Sequence, residues 1–153
     1  AVSGDVDVAS IKRRAKYAKV YTLDNGSSVE TIVLPVHGYG LWSTLYGFIA
    51  LEGDANTVKG LGFYQHGETP GLGGEVDNPR WKSQWPSKKV YNFSEGKDPV
   101  IRLVKGGADR SDAYGVDSLS GATLTSTGVT NLLKFWLGDQ GFQKYLDRVR
   151  KGA

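Results

Sequence analysis

The chain has no cysteine and no methionine among its 153 residues, and only two histidines, His37 and His66. The missing thiol excludes disulfides, thiolate metal sites, iron–sulfur clusters and cysteine nucleophiles together. Two imidazoles are too few for a histidine-rich metal site. Charge of one sign is scarce as well. Lys and Arg number 19 against 16 Asp and Glu, a net charge of +3, and so small an excess does not point to nucleic acid. Only Thr31–Leu51 forms a long run without Asp, Glu, Lys or Arg, and its length would suffice for a membrane-crossing helix. Pro35, Gly38, Gly40, Ser43, Thr44 and Gly47 interrupt it, so two strands joined by a turn are expected instead. The chain starts without Met and without a secretion signal, the pattern of a processed or excised chain.

Leu, Ile, Val and Phe make up about a quarter of the residues, enough for a packed core, and the length suits one domain over residues 1–153. Ser10–Val20 is basic and moderately amphipathic, which predicts a short surface helix. Strands are expected at Val29–Val36, Thr44–Leu51 and Thr57–Tyr64, with shorter ones at Lys88–Phe93 and Val100–Lys105. In the second strand both Leu45, Gly47, Ile49, Leu51 and Tyr46, Phe48, Ala50 are apolar sets, so cover on both faces is expected. Gln65–Asn78 and Gly106–Leu119 read as loops. Val129, Leu132, Leu133, Trp136 and Leu137 sit at i, i+3, i+4, i+7 and i+8, a helix. Phe142, Tyr145, Leu146 and Val149 form a second one after a stop and new cap at Gly138-Asp139. Strands first and two helices last predict an α+β fold: a twisted, mostly antiparallel sheet with helices packed on it.

Between the last loop and the strong helix lies Asp117-Ser118-Leu119-Ser120-Gly121-Ala122-Thr123-Leu124-Thr125-Ser126. Hydroxyl side chains surround two very small residues just ahead of a helix N-terminus, where free N–H groups and the helix dipole favour an anion. The same residues also suit plain capping, with Ser126 or Thr127 taking the first N–H groups. The segment Glu68-Thr69-Pro70-Gly71-Leu72-Gly73-Gly74 is a turn-rich stretch outside the main apolar pattern. Trp81 and Trp85 fit core or rim positions, and Lys82 and Lys105 fit the surface.

Asp117-x-x-Ser120-Gly121-Ala122-Thr123 resembles the D-x-x-[ST]-G-A-[ST] signature of flavin-attachment domains. With ETPGLGGEV (Glu68–Val76), VKGGA (Val104–Ala108) and FWLGDQGF (Phe135–Phe142), the chain from about Thr57 onward is similar to the soluble, FMN-binding domain of the C subunit of Na⁺-translocating NADH:quinone oxidoreductases. The resemblance implies FMN joined through its phosphate to Thr123 by a flavin transferase. It implies a flavin site built from Asp117, Ser120, Gly121, Ala122, Leu124 and Thr125 around Thr123, and from Glu68, Thr69, Leu72 and Gly73 along the ring. Trp81, Lys82 and Lys105 are expected near the ring, with either lysine available to stabilise a reduced, anionic flavin. It further implies electron relay beside other subunits of a membrane complex, on the periplasmic side of a bacterial inner membrane. The family's N-terminal transmembrane anchor is not seen in these residues. The equivalent flavoprotein of the complex linking ferredoxin and NAD shares the attachment motif and the ETPGLG string. A hydrolase using Ser120 or Thr123 with His66 and Asp117 is the reading from another class, though no G-x-S-x-G elbow is present.

Overall fold

The computed structural model describes residues 1–152. Four strands, β1 (Tyr21–Asp24), β2 (Val29–Tyr39), β3 (Thr44–Glu52) and β4 (Val58–Gln65), form one antiparallel sheet in sequence order. After β4 come a 3₁₀ turn at Gly73–Asp77 and the short helix α1 (Pro79–Lys82). Strands β5 (Arg102–Val104) and β6 (Gly115–Asp117) pair in parallel, followed by α2 (Thr123–Trp136) and α3 (Gln143–Arg150). The expected α+β architecture with an antiparallel sheet and two C-terminal helices is what forms. The charge-free run from Thr31 is β2, a turn and β3. No helix among the described residues is long and apolar enough to cross a membrane.

Alternation along β2 and β3 decides the core. Ile32, Leu34, Val36, Leu45, Ile49 and Leu51 point to one side and are essentially fully buried, against Val129, Leu132 and Leu133 of α2. Burial of each such side chain stabilises by about 1.5–3 kcal/mol. The helix is held to the sheet by Trp136 Nε1, which donates to the carbonyl of His37 at 2.7 Å.

Several sequence expectations are corrected. Ser10–Val20 is irregular chain, because Ser10 and Lys12 have φ of 52° and 63°. The Asp7 carboxylate accepts from the Ile11 and Lys12 amides at 2.9 and 2.7 Å, and such local bonds compete with a helix. Lys88–Phe93 makes only isolated bridges at Lys89 and Tyr91, since Asn56 Oδ1 takes the Val90 and Tyr91 amides at 3.0 and 2.7 Å. Gly106–Leu119 is not all loop, because it contains β6. Asp139 does not cap α3, whose N-cap is Phe142 without a side-chain bond. The second face of β3 is only partly covered among the described residues: Tyr46 and Ala50 are half-buried and Phe48 is exposed.

Candidate functional site

Helix α2 starts six residues before Val129, the first residue of its apolar periodicity, so Thr123 is its first residue and Ala122 its N-cap. No side chain caps it. The plain capping role proposed for Ser126 is absent, because that side chain is turned inward. Ser126 Oγ accepts from the Leu119 amide and donates to the Ala122 carbonyl, each at 2.9 Å. Thr125 is also buried, and its hydroxyl donates to Glu68 Oε1 at 2.7 Å. Thr123 and Ser120 remain exposed. The fold thus consumes two hydroxyls and leaves Thr123 Oγ1 accessible at an uncapped N-terminus, where the first helical N–H groups lack intrahelical acceptors.

The loop entering α2 is held at several points. Gly121 has φ +70°, and a Cβ there would lie 3.1 Å from Leu72 Cδ2, so only glycine satisfies both the backbone and the approach of Leu72. Asp117 Oδ1 accepts from the Ala108 amide at 2.8 Å, folding the Gly106-Gly107 turn around the carboxylate. Its own amide donates to Gln84 Oε1 at 3.0 Å, and its carbonyl accepts from Trp81 Nε1 at 2.8 Å. Trp81 is therefore a buried brace packed edge-on against Trp85, with ring centroids 5.4 Å apart.

Glu68 is the other organiser. Its buried carboxylate accepts from the Leu41 and Trp42 amides at 2.8 and 3.0 Å, from Ser43 Oγ at 2.8 Å and from Thr125 Oγ1. Burial by itself raises a carboxyl pKa, but these four donors outweigh it and hold Glu68 below its usual value. The side chain ties three segments together: its own loop, the β2–β3 turn and the first turn of α2. A Cβ at Gly40 would lie 2.5 Å from Glu68 Oε1, and one at Gly73 would lie 2.6 Å from Thr125 Oγ1. The loop from Glu68 to Gly74 is consequently part of the packed structure at Glu68 and Gly73, contrary to its apparent independence in the sequence. Thr69 is exposed and shapes the turn through its carbonyl, which accepts from the Leu72 and Gly74 amides at 3.1 and 2.9 Å.

Two surfaces meet at Thr123. One is a polar groove of about 740 Å³ lined by Lys105, Asp117, Ser120, Gly121, Thr123 and a stripe of α2 comprising Thr127, Thr130, Asn131 and Lys134. The other is apolar, where Leu41, Trp42, Leu72 and Leu124 are 37, 65, 44 and 60 % exposed on segments joined through Glu68 and Gly121. Among the predicted site residues, Lys82 lies elsewhere, with its Nζ above Gly62 of β4. His66 is outside the groove as well. Its Nε2 is 2.8 Å from Asp77 Oδ2 and its Nδ1 accepts from the Glu68 amide at 3.1 Å, so the Ser/Thr–His–Asp arrangement of the hydrolase reading does not form. Sequence reasoning missed Leu41, Trp42 and Ser43, whose only signal was an aromatic and an aliphatic residue after Gly38-x-Gly40. It also missed the polar α2 stripe, legible as i, i+4, i+7, i+8 and i+11 from Thr123.

The family of FMN-binding domains matches residues 40–138, nearly two thirds of the chain. The chain belongs to this family. Its match covers the β2–β3 turn, the Glu68 loop, the groove and α2. This FMN-binding domain is 58 % identical over 149 residues to the C subunit of the Na⁺-translocating NADH-quinone reductase of Pseudomonas aeruginosa, covering 95 % of this chain and 56 % of that protein. It is 52 % identical to the protein of the same name from Vibrio alginolyticus, covering 99 % of this chain and 59 % of the relative. The chain therefore spans under three fifths of the curated relatives it matches. The crystal structure of Shewanella oneidensis NqrC superposes with a TM-score of 0.88 at 42 % identity, over 96 % of this chain and 67 % of that one. The residues present suit an FMN: an uncapped helix start and Lys105 for a phosphate, and exposed apolar side chains for a flat ring.

Proposed function

We propose that this chain is the flavin-carrying part of the C subunit of a Na⁺-translocating NADH:quinone reductase, with FMN joined through its phosphate to Thr123 Oγ1. The observation that carries this reading is the sorting of hydroxyls at the start of α2. Thr125 and Ser126 are buried and bonded, while Thr123 is exposed beside unpaired helical N–H groups. The names of the relatives favour the quinone reductase over the ferredoxin-linked complex.

FMN, when bound, supplies one- and two-electron transfer. The chain holds and positions it. The amides at the start of α2 and their dipole favour the phosphate, and the groove beside Thr123 takes its polar portion. Leu72, held against Gly121, and Trp42, held by Glu68, offer apolar surface to the ring. Lys105 provides positive charge that favours electron uptake. The tether at Thr123 keeps the cofactor at high effective concentration, which matters on the periplasmic side of the inner membrane, where no FMN pool replaces a lost one. Neighbouring subunits of the complex deliver and accept the electrons.

Attachment needs a flavin transferase, because the threonine hydroxyl is a weak nucleophile and the chain's nearest imidazole, His66, lies outside the groove, paired with Asp77. The transferase would use a flavin donor whose FMN phosphorus is joined to a second phosphate: the Thr123 Oγ1–phosphorus bond forms as the pyrophosphate P–O bond breaks, the second phosphate leaves as a phosphate monoester, and the hydroxyl proton passes to a base on the transferase. Intact mass after coproduction with the transferase tests the reading. The FMN adduct should appear in the wild type and in Ser120→Ala, and vanish in Thr123→Ala. Adduct persisting in Thr123→Ala through denaturation overturns the assignment.

A further inference from the structure

The outer face of the β1–β4 sheet carries the residues of a buried surface. Pro35 pairs with Phe48 and then Gly62 on the side opposite the buried Leu34 and Ile49, and His37 pairs with Tyr46 at the edge of this face, where the His37 ring also lies 5.0 Å from that of Trp136 at the end of α2. Their rings form a ladder: His37 to Tyr46 at 5.6 Å, Tyr46 to Tyr64 at 6.4 Å and Phe48 to Tyr64 at 5.5 Å between centroids. No Asp, Glu, Lys or Arg interrupts Val33–His37, Tyr46–Ala50 or Gly60–Tyr64 in the strands themselves, although the Lys82 ammonium reaches the β4 side of the face above Gly62. Yet Phe48 is 39 % and Tyr64 65 % exposed. A contiguous exposed apolar face of this kind marks an interaction surface, and a strand apolar on both sides belongs to a sheet covered on both sides.

The irregular segment carrying Lys12, Arg13, Arg14, Lys16 and Lys19, all exposed, reaches this face at Ala15 and Tyr17–Lys19. No acidic residue lies between Val8 and Leu23, and none of the five cations is in an ion pair among the described residues. Tyr17 and Lys19 face Pro35, His37 and Phe48 across a cleft of about 360 Å³.

We propose that this outer face docks further polypeptide of the kind the longer relatives carry outside the matched region, with apolar side chains set on the ring ladder and carboxylates opposite Lys12–Lys19. Length supports this occupant. The S. oneidensis chain, whose fold follows this one closely, has a third of its residues beyond the match. Charge disfavours a second copy in its place. Pairing two copies of this chain across the face would oppose two runs of five unpaired cations, and like-charge juxtaposition disfavours that. The proposal rests on the family match and not on flavin attachment, which intact mass reads separately.

The test uses the part of the S. oneidensis relative outside the match, made as a separate polypeptide and titrated onto this chain. Acetylation rates of individual tyrosines provide the readout. Tyr21 and Tyr64 should become shielded while the far-ultraviolet spectrum of this chain stays unchanged. The double variant Phe48→Ser/Tyr64→Ser should weaken binding roughly tenfold or more. The triple variant Lys12→Glu/Arg13→Glu/Arg14→Glu should weaken it as well and flatten its dependence on salt. Shielding that appears instead with a second copy of this chain, or with phosphatidylglycerol vesicles, overturns the proposal. A footprint of the intact S. oneidensis protein keeps the test decisive if the separate segment fails to fold. Its positions corresponding to Phe48 and Tyr64 should be shielded, and free access there also overturns the proposal.

Discussion

Replacing Glu68 by Gln isolates the contribution of one carboxylate to the shape of the flavin site. The side chain keeps its size, so packing is nearly unchanged, but one of the two acceptor oxygens becomes a donor. In the native structure Oε1 accepts from the Leu41 amide and Thr125 Oγ1, and Oε2 from the Trp42 amide and Ser43 Oγ. The amide can satisfy one of these pairs and opposes the other with its own N–H groups. Bonds to a charged group are worth about 1.5–3 kcal/mol each, and two unsatisfied partners at a buried site bring the expected loss to about 3 kcal/mol rather than the sum. Urea unfolding at pH 7 measures it. The sign of the pH dependence provides an internal control. The folded-state pKa of Glu68 is depressed, so its contribution is fully present above the unfolded value of about 4.3 and is lost as pH falls through the folded value. The gap between wild type and Glu68→Gln should therefore be widest near neutrality and narrow with acidification. The Leu41 and Trp42 amides should also exchange hydrogen faster in the variant. A variant within about 0.5 kcal/mol of wild type, the range of ordinary surface changes, or a gap that stays constant into acid, would refute the role given to Glu68.

Gly73→Ala should cost about 1–3 kcal/mol in thermal or urea unfolding, because the added Cβ would lie 2.6 Å from Thr125 Oγ1 and 3.0 Å from Glu68 Cβ; an unchanged stability means that the loop yields freely. Lys105→Gln should lower the midpoint potential of the flavin-loaded protein. A unit charge across a solvent-filled groove is worth about 0.5 kcal/mol, about 10 mV for a two-electron couple, and high salt should erase the difference. An unchanged potential at low salt removes Lys105 from the electrostatics of the site. Chain made without transferase should be folded and almost colourless, and FMN added to it should wash away; stoichiometric flavin retained without a mass adduct refutes the tether as the main source of retention.

Local pattern was sufficient for the elements whose side chains face one core. The period-2 runs of β2 and β3 and the i, i+3, i+4 spacing around Val129 made them legible, because alternate burial leaves its mark residue by residue. Thr123 stood out through its motif, which is contiguous in the chain. The sequence also showed that both faces of β3 are apolar, and only the tertiary structure revealed that this chain covers one of them fully and the other in part. Long-range geometry decided the rest. Nothing near Glu68 in the sequence indicates that its carboxylate gathers the Leu41 and Trp42 amides 27 and 26 residues away and Thr125 57 residues away. The hydroxyls from Ser120 to Ser126 are chemically alike in the sequence. They became different only when α2 began at Thr123 and turned Thr125 and Ser126 inward. Residue type and spacing determine which groups are available and which face of an element is apolar; which hydroxyl stays free depends on what packs against it, a property of the folded chain.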